Sequence, residues 1–189
     1  MRGRPGSGRA PEHLTEVASV TSRTMQAILA KLLRPSDNFY AEVPGKRLGV
    51  AAMGTPGTIA KGAATLEAWL EAAGAGFELY DCSGLSYANR VSAEGVVRLL
   101  WAAEAAPWGT DLFEALPSGG QGTLRDRFAN VQVHAKTGTL TDVSALSGWV
   151  WLERMETWGE FSILSSGMRK DTASDLEDHI VRILQNQAR

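Results

Sequence analysis

The sequence predicts an α+β fold in which a helical part is followed by an antiparallel sheet and a C-terminal helix. Two observations lead to this fold class. Before Gly119-Gly120 the apolar residues recur at helical spacing, and after this pair three strand-like segments are joined by short connections. Short connections join antiparallel neighbours, and the last helix can then cover the sheet. The 189 residues are enough for one domain with a sizeable core.

Three helices are predicted in the first part of the chain. The first spans residues 21–33 and ends before Pro35, because proline disfavours helical geometry in the residue that precedes it. The second spans residues 58–73, is rich in alanine and is closed by Gly74. The third follows Ser92, which is a good N-cap, and carries an apolar stripe for burial.

The predicted sheet consists of residues 131–139, 143–153 and 160–166. The first of these segments alternates apolar and polar residues. Asp142 lies in the first connection, where its side chain can bond nearby backbone and favour a turn. Residues 171–187 place apolar side chains along one face and form the closing helix.

Charge and composition exclude several functions. Nineteen Lys and Arg against 21 Asp and Glu give a net charge of −2, so there is no electrostatic case for binding nucleic acid or an anionic membrane surface. No apolar run approaches the roughly 20 residues that span a bilayer. One cysteine and three histidines offer no internal disulfide and a poor set of zinc ligands. We therefore expect neither a metal nor another cofactor.

The N-terminal residues differ in composition from the rest of the chain. Residues 1–13 begin with a basic stretch rich in Gly and Pro, and we expect them to form a flexible tail, with residues 14–189 forming the domain. A secretory signal needs an apolar segment of about 7–15 residues after its basic start. The sequence has no such segment, so it predicts no export signal.

Ser36-Asp37-Asn38 is the first stretch that could carry chemistry. A Ser and an Asn two positions apart on a tight turn can aim a hydroxyl and an amide into the same space. The hydroxyl can relay a proton and the amide can hold a substrate carbonyl. The alternative is a helix or turn cap, and the three residues taken alone favour that interpretation.

Lys136-Thr137-Gly138-Thr139 is the second such stretch, and it lies on the first predicted strand. Gly138 leaves room for a ligand backbone against the strand edge. Lys136 supplies a cation, and the two threonines offer hydroxyls to a carboxylate. The alternative is an exposed strand lysine beside a turn glycine. A third stretch, residues 81–92, is rich in small residues and is interpreted as a structural loop.

Together these stretches match a known signature. Ser-Asp-Asn followed by Lys-Thr-Gly is two thirds of the motif set of penicillin-recognising serine enzymes, which is S-x-x-K, S-D-N and K-T-G. From about Leu14 to the C-terminus the chain resembles the D-alanyl-D-alanine carboxypeptidase/endopeptidase family of class C low-molecular-mass penicillin-binding proteins. The segments that carry the resemblance are, in order, LLRPSDNFYAE, DCSGLSYANRVS, LPSGGQGTLRDRF and AKTGTLTDVSALSGWV.

The resemblance implies part of a penicillin-recognising fold and acyl transfer. In the family, the serine of S-x-x-K attacks the D-Ala-D-Ala bond of a peptidoglycan stem peptide or the ring of a β-lactam, and water then releases the acyl-enzyme. Family members act outside the cytoplasmic membrane, in the periplasm or cell wall. These expectations make the stem peptide and β-lactams the partners of the site.

The resemblance also implies roles for individual residues. Ser36 would be the proton-relay hydroxyl, and Asn38 would hold the substrate amide. Lys136 would supply positive potential, while Thr137 and Thr139 would contact the terminal carboxylate beside Gly138. The backbone N–H of Thr139 would provide half of the oxyanion hole.

The chain departs from the family in its nucleophile. No serine is followed three positions later by a lysine. Thr58 and Lys61 have the spacing, but they follow Ser-Asp-Asn, whereas the family nucleophile precedes it. A missing N-terminal portion would explain the absence of both the nucleophile and the export signal. The chain is therefore expected to be a C-terminal fragment that is inactive alone and whose sheet keeps an unpaired edge.

Two alternatives to a mere fragment stay open, and the sequence does not decide whether this chain is itself an enzyme. One is a non-catalytic pseudo-enzyme that binds peptidoglycan stems. The other is half of a split enzyme, completed by a partner chain that bears S-x-x-K.

Cys82 is a smaller departure, because the family loop usually has glycine at this position. If the loop requires a positive φ there, cysteine strains it. That reasoning predicts that Cys82→Gly raises the melting temperature.

Overall fold

The computed structural model of the chain describes residues 7–8, 13 and 15–187. Most of the expected tail, residues 1–13, lies outside the described residues. The α+β class is confirmed. Along the described part, the elements are α1 (Met25–Leu33), α2 (Asn38–Met53), α3 (Ile59–Ala72), α4 (Ala93–Glu104), α5 (Gly109–Ala115), a 3-10 turn (Gly122–Leu124), β1 (Val133–Leu140), β2 (Val143–Leu152), β3 (Thr157–Ser166) and α6 (Lys170–Gln187).

The three strands form an antiparallel sheet in the order β1-β2-β3. Thr141 and Asp142 make the turn between β1 and β2, and Asp142 adopts a positive φ of 61° that suits a tight hairpin. Lys136 on β1 lies directly opposite Ser147 on β2, which fixes the register of the strand expected to carry the site.

Each face of the sheet packs against helices. The core between the sheet and α6 consists of Leu124, Phe128, Val131, Val133, Ala135, Leu146, Val150, Phe161 and Val181. On the other face Trp149 packs with Leu100 and Leu116, which belong to α4 and to the end of α5. The sheet is therefore the middle layer of three, and this arrangement places β1 beside the helical part.

A buried charged group fastens α6 to the sheet. Glu177 is 1% exposed, and its carboxylate accepts hydrogen bonds from Ser144 Oγ at 2.7 Å and from the Arg127 guanidinium at 2.9 Å. Arg127 also donates to Asp178 at 2.7 Å. Because the buried carboxylate is both paired and hydrogen-bonded, its burial is compensated. The expected covering of the sheet by the last helix is confirmed.

Small residues allow α2 and α3 to cross closely. A Cβ added at Gly62 would lie 2.7 Å from the Gly45 carbonyl carbon, and one added at Gly49 would lie 2.8 Å from the Gly62 nitrogen. Cys82 fills the remaining space, because its Sγ would lie 3.0 Å from a Cβ at position 62. These glycines therefore serve as contact surfaces, since any side chain would push the two helices apart.

The helical part differs from the prediction in three places. α1 begins at Met25, because the Thr24 hydroxyl caps it by accepting from the Ala27 N–H at 3.3 Å. Neither α2 nor α5 was predicted. α2 contains Pro44 and two buried glycines, which have low helix propensity, so packing against α3 must override the local preference. α5 has only seven residues, too few for a clear helical period.

Candidate active site

Ser36 lies in the turn between α1 and α2. Its φ is 61°, a left-handed conformation that is uncommon for a residue with a side chain. The turn is held by a hydrogen bond of 2.9 Å from the Asp37 N–H to the Leu32 carbonyl. Asp37 also caps α2 by accepting from the Tyr40 N–H at 3.1 Å. Asp37 thus provides the cap, and Ser36 remains free to point elsewhere.

The Ser36 hydroxyl points at Lys136. Lys136 Nζ donates to Ser36 Oγ at 2.6 Å and to its neighbour's carbonyl, Thr137 O, also at 2.6 Å. Burial lowers the pKa of Lys136 to about 8, because the ammonium is partly removed from water and no carboxylate among the described residues pairs with it. The two motifs, 100 residues apart in the chain, therefore meet through one charge-assisted hydrogen bond.

Thr123 supports this contact from a third element. Thr137 Oγ1 donates to Thr123 Oγ1 at 2.8 Å, and the Thr123 N–H donates to the Arg34 carbonyl at 3.0 Å. The adjacent Gly122 has a φ of 50°, and a Cβ there would overlap the Arg34 carbonyl oxygen. Sequence reasoning assigned no role to Thr123. The signal was present in the segment LPSGGQGTLRDRF, where three glycines closely precede the threonine.

Gly138 and Thr139 line a cleft of about 820 Å³ next to this group. The cleft lies between one sheet face and the loop of residues 81–90, and α3 contributes further apolar side chains. The apolar residues that line it include Leu66, Leu70, Phe77, Leu79, Val91, Leu140, Val143, Ala145 and Leu164. A large apolar cleft with a few polar groups at its edge is typical of a binding site.

The structure brings some of the expected site residues into contact and leaves others apart. Ser36, Lys136 and Thr137 belong to one hydrogen-bonded group. Asn38 begins α2 and is exposed, and Thr139 is exposed on the next position of β1 beyond Gly138. The roles of all these residues remain predictions.

Two absences concern only the part of the chain that the structure describes, residues 7–8, 13 and 15–187. There, no group of His, Cys, Asp and Glu side chains is placed to hold a metal ion. Over the same residues, none of the helices combines the length and the apolar character that crossing a membrane requires.

The expectation about Cys82 is wrong. Cys82 has no positive φ, so the loop does not require glycine at this position. Its thiol instead occupies the crossing of α2 and α3, and burial raises the thiol pKa to about 11, so that it stays protonated at neutral pH. Cys82 is therefore a packing residue.

Comparisons with known proteins agree with the predicted family and fold. The model of the D-Ala-D-Ala carboxypeptidase 3 (S13) family matches residues 1–187. The chain is 37% identical over 183 residues to a D-alanyl-D-alanine carboxypeptidase of Actinomadura sp., which covers 88% of this chain and 34% of the relative. It is 31% identical over 150 residues to carboxypeptidase DacB of Mycolicibacterium smegmatis, covering 72% of this chain and 32% of the relative. The chain thus spans about a third of the length of these relatives.

Solved structures show the same fold. Penicillin binding protein 4 (dacB) from Haemophilus influenzae superposes with a TM-score of 0.70 at 24% identity, covering 85% of this chain and 39% of that protein. A class A beta-lactamase from Bacteroides cellulosilyticus gives a TM-score of 0.62 at 18% identity, covering 86% and 62%. The fold is that of the penicillin-recognising proteins, and the chain belongs to the D-Ala-D-Ala carboxypeptidase S13 family.

Proposed function

We propose that this chain is the part of a serine-type D-Ala-D-Ala carboxypeptidase or endopeptidase that supplies the proton relay and the carboxylate-binding strand. The observation that carries the proposal is the 2.6 Å contact between Lys136 Nζ and Ser36 Oγ. It joins the Ser-Asp-Asn and Lys-Thr-Gly motifs at one point, beside a cleft. The substrate would be a peptidoglycan stem peptide ending in D-Ala-D-Ala, and β-lactams would compete for the same site.

The proposed reaction is acyl transfer. A serine oxygen from S-x-x-K bonds to the carbonyl carbon of the penultimate D-Ala, and its proton passes to the lysine of that motif. The bond to the terminal D-Ala nitrogen then breaks, and this nitrogen takes a proton relayed through the Ser36 hydroxyl. A water oxygen next bonds to the ester carbonyl carbon and the bond to the serine oxygen breaks. The shortened peptide leaves as a carboxylic acid, and a proton from the water returns to the serine oxygen.

The residues on this chain would bind and polarise the substrate. Lys136 carries the positive potential and keeps the Ser36 hydroxyl hydrogen-bonded, and its lowered pKa makes proton sharing with Ser36 easier. Asn38 would hold the substrate amide. Thr137 and Thr139 would bind the terminal carboxylate, and the Thr139 N–H would stabilise the developing oxyanion. Gly138 would allow the substrate backbone to approach β1.

We also propose that the chain does not perform acyl transfer by itself. The printed sequence contains no Ser-x-x-Lys, which is the nucleophile this reaction requires. The apolar cleft beside Gly138 and Thr139 supports completion by another polypeptide segment, because its volume of about 820 Å³ leaves room for further side chains against an apolar lining. Peptidoglycan lies outside the cytoplasmic membrane, so the complete protein would act in the periplasm or cell wall.

Labelling with a fluorescent penicillin tests the proposal. The folded chain alone should form no covalent adduct, as read by denaturing gel and intact mass, with circular dichroism confirming the fold. Adding a separately expressed polypeptide that carries S-x-x-K and the rest of the penicillin-recognising domain should produce an adduct on the added polypeptide. That adduct should be lost with Lys136→Ala and kept with Lys31→Ala, an exposed lysine on α1. An adduct on the chain alone would overturn the proposed inactivity.

A second candidate function is non-catalytic binding of peptidoglycan stems. It is favoured by the fact that Lys136, Ser36 and Thr137 are assembled on a chain without the nucleophile. Reversible binding of a D-Ala-D-Ala peptide that is lost in Lys136→Ala, without any labelling in the complementation experiment, would support this candidate. An upstream reading frame that encodes S-x-x-K would instead support half of a split enzyme.

A further inference from the structure

Residues 81–90 form a loop with its own internal scaffold. The loop is closed at its neck by a pair of backbone hydrogen bonds between Glu78 and Arg90, at 2.8 and 2.9 Å. Inside it, the Asp81 carboxylate accepts from the N–H groups of Gly84 at 2.8 Å and Ser86 at 2.6 Å, and from the Asn89 amide at 2.9 Å. A loop with a closed neck and this many internal bonds moves as one body.

The charge state of Asp81 agrees with this scaffold. Burial acts to raise the pKa of Asp81, but the hydrogen bonds from Asn89, Gly84 and Ser86 outweigh it, and the pKa is lowered. The carboxylate therefore stays ionised at neutral pH and keeps its full accepting strength.

One side of this loop is tied to α2. Glu42 Oε1 accepts from the backbone N–H groups of Cys82 at 3.2 Å and Ser83 at 3.0 Å. The other oxygen, Oε2, is buried without a hydrogen-bond partner among the described residues, so the two bonds to Oε1 must compensate for the burial. Glu42 lies one helical turn after Asn38, so the two side chains share a face of α2.

The other side of the loop is tied to the sheet. The Tyr87 hydroxyl oxygen accepts a hydrogen bond of 3.0 Å from the Thr141 N–H, in the turn that joins β1 and β2. Thr141 follows Thr139 on the same chain by two residues. The loop itself lines the cleft, and it thus connects α2, which bears Asn38, to the turn that follows Thr139 on β1.

We infer that the loop of residues 81–90 is a strut that holds α2 at a fixed separation from the turn between β1 and β2, with Glu42 and Tyr87 as positioning residues at its two ends. If either end is released, a loop that is rigid inside turns about its neck and loosens the other end. The coupling between the two ends does not depend on what the cleft binds. The further statement that this coupling fixes the distance between Asn38 and Thr139 for acyl transfer rests on the proposed function.

Amide hydrogen exchange of the folded chain, followed by NMR, tests the strut. In Glu42→Gln the neutral amide accepts more weakly than the carboxylate, so exchange at Cys82 and Ser83 should accelerate. If the loop is a strut, exchange at Thr141 should also accelerate, by about threefold or more, although Thr141 does not contact Glu42. The matched control is Glu94→Gln, an exposed carboxylate paired with Arg98 on α4, which should leave all three amides unchanged.

Tyr87→Phe provides the reciprocal measurement and removes a single hydroxyl from a side chain that is 60% exposed. It should accelerate exchange at Cys82 and Ser83 by a similar factor, and it keeps the inference testable where Glu42→Gln does not fold. Acceleration confined to the amides next to each substitution would overturn the strut, and so would unchanged exchange at Cys82 in Glu42→Gln. No ligand is present, so these results are separate from the outcome of the penicillin labelling.

Discussion

Lys136 is a lysine whose burial has a measurable consequence for stability. Its pKa falls from 10.5 to about 8 in the folded protein. Between these values the unfolded chain binds more protons than the folded chain, so stability rises with pH across this window. Below the window both states are protonated, and the folded state carries the full cost of a buried ammonium ion.

We expect the free energy of unfolding to rise by about 1 kcal/mol between pH 7 and pH 9, relative to Lys136→Met. Urea unfolding of the two proteins at both pH values measures this difference. The raised pKa of Cys82 makes stability fall as the pH rises. This contribution is the same in both proteins, so the comparison removes it. Equal pH dependence in the two proteins would show that Lys136 titrates normally.

Cys82 allows a second prediction at the same scale. Its side chain fills the crossing of α2 and α3, and glycine would leave a cavity and increase the freedom of the unfolded loop. Cys82→Gly should lower the free energy of unfolding by about 1–2 kcal/mol. Cys82→Ala, which keeps the Cβ, should lower it less. A melting temperature that is unchanged or higher in Cys82→Gly would contradict this packing role.

The site was predictable from the sequence only where residues are adjacent in the chain. Ser36, Asn38 and the four residues from Lys136 to Thr139 stand in short motifs. Thr123 was not found, because its contact with Thr137 depends on how the Gly122 turn packs against Arg34. Such a contact between distant segments leaves no local pattern in the sequence.

At the scale of elements, the sheet and α6 followed from periodicity, whereas α2 did not. β1 and β2 carry alternating or apolar patterns, and Asp142 marks their turn. α2 has a weak helical pattern, because Pro44 and its glycines reduce propensity and its contact with α3 uses backbone surfaces instead of large apolar side chains. A helix of this kind forms because it packs against a partner helix, and its own sequence pattern does not reveal it.

The crossing of α2 and α3 should therefore be intolerant of a single methyl group. Alanine has the higher helix propensity, yet Gly62→Ala should lower the free energy of unfolding by about 2 kcal/mol, because the new Cβ meets Gly45. Chemical denaturation measures the change. The control is Ala60→Gly on the exposed side of α3, where only the lower helix propensity of glycine acts. The free energy of unfolding should fall there by about 1 kcal/mol. A Gly62→Ala protein as stable as the native chain would contradict the close crossing.

At the scale of the whole molecule, the sheet is open. β3 pairs with β2 on one side, and the described residues form no ladder on its other edge. An unpaired edge of ten residues is a template for another strand. Leu164, which faces the cleft on β3, is 36% exposed.

The chain should accordingly self-associate as its concentration rises, as measured by light scattering after size exclusion. Leu164→Lys should reduce this association, since a charge on an edge strand opposes strand addition. Leu176→Lys makes the same change on α6, away from the edge, and should leave the association intact. A native chain that stays monomeric at all concentrations would show that the edge is protected.

The left-handed backbone of Ser36 also bears on how this protein can change over evolutionary time. A residue with a side chain pays about 1 kcal/mol for that conformation, whereas glycine does not. Glycine at this position would relax the turn and remove the hydroxyl that Lys136 contacts. In a lineage where only folding is selected, selection for stability would favour glycine at position 36. Replacement of Ser36 by glycine would therefore indicate that selection for the catalytic role has ended while selection for the fold continues.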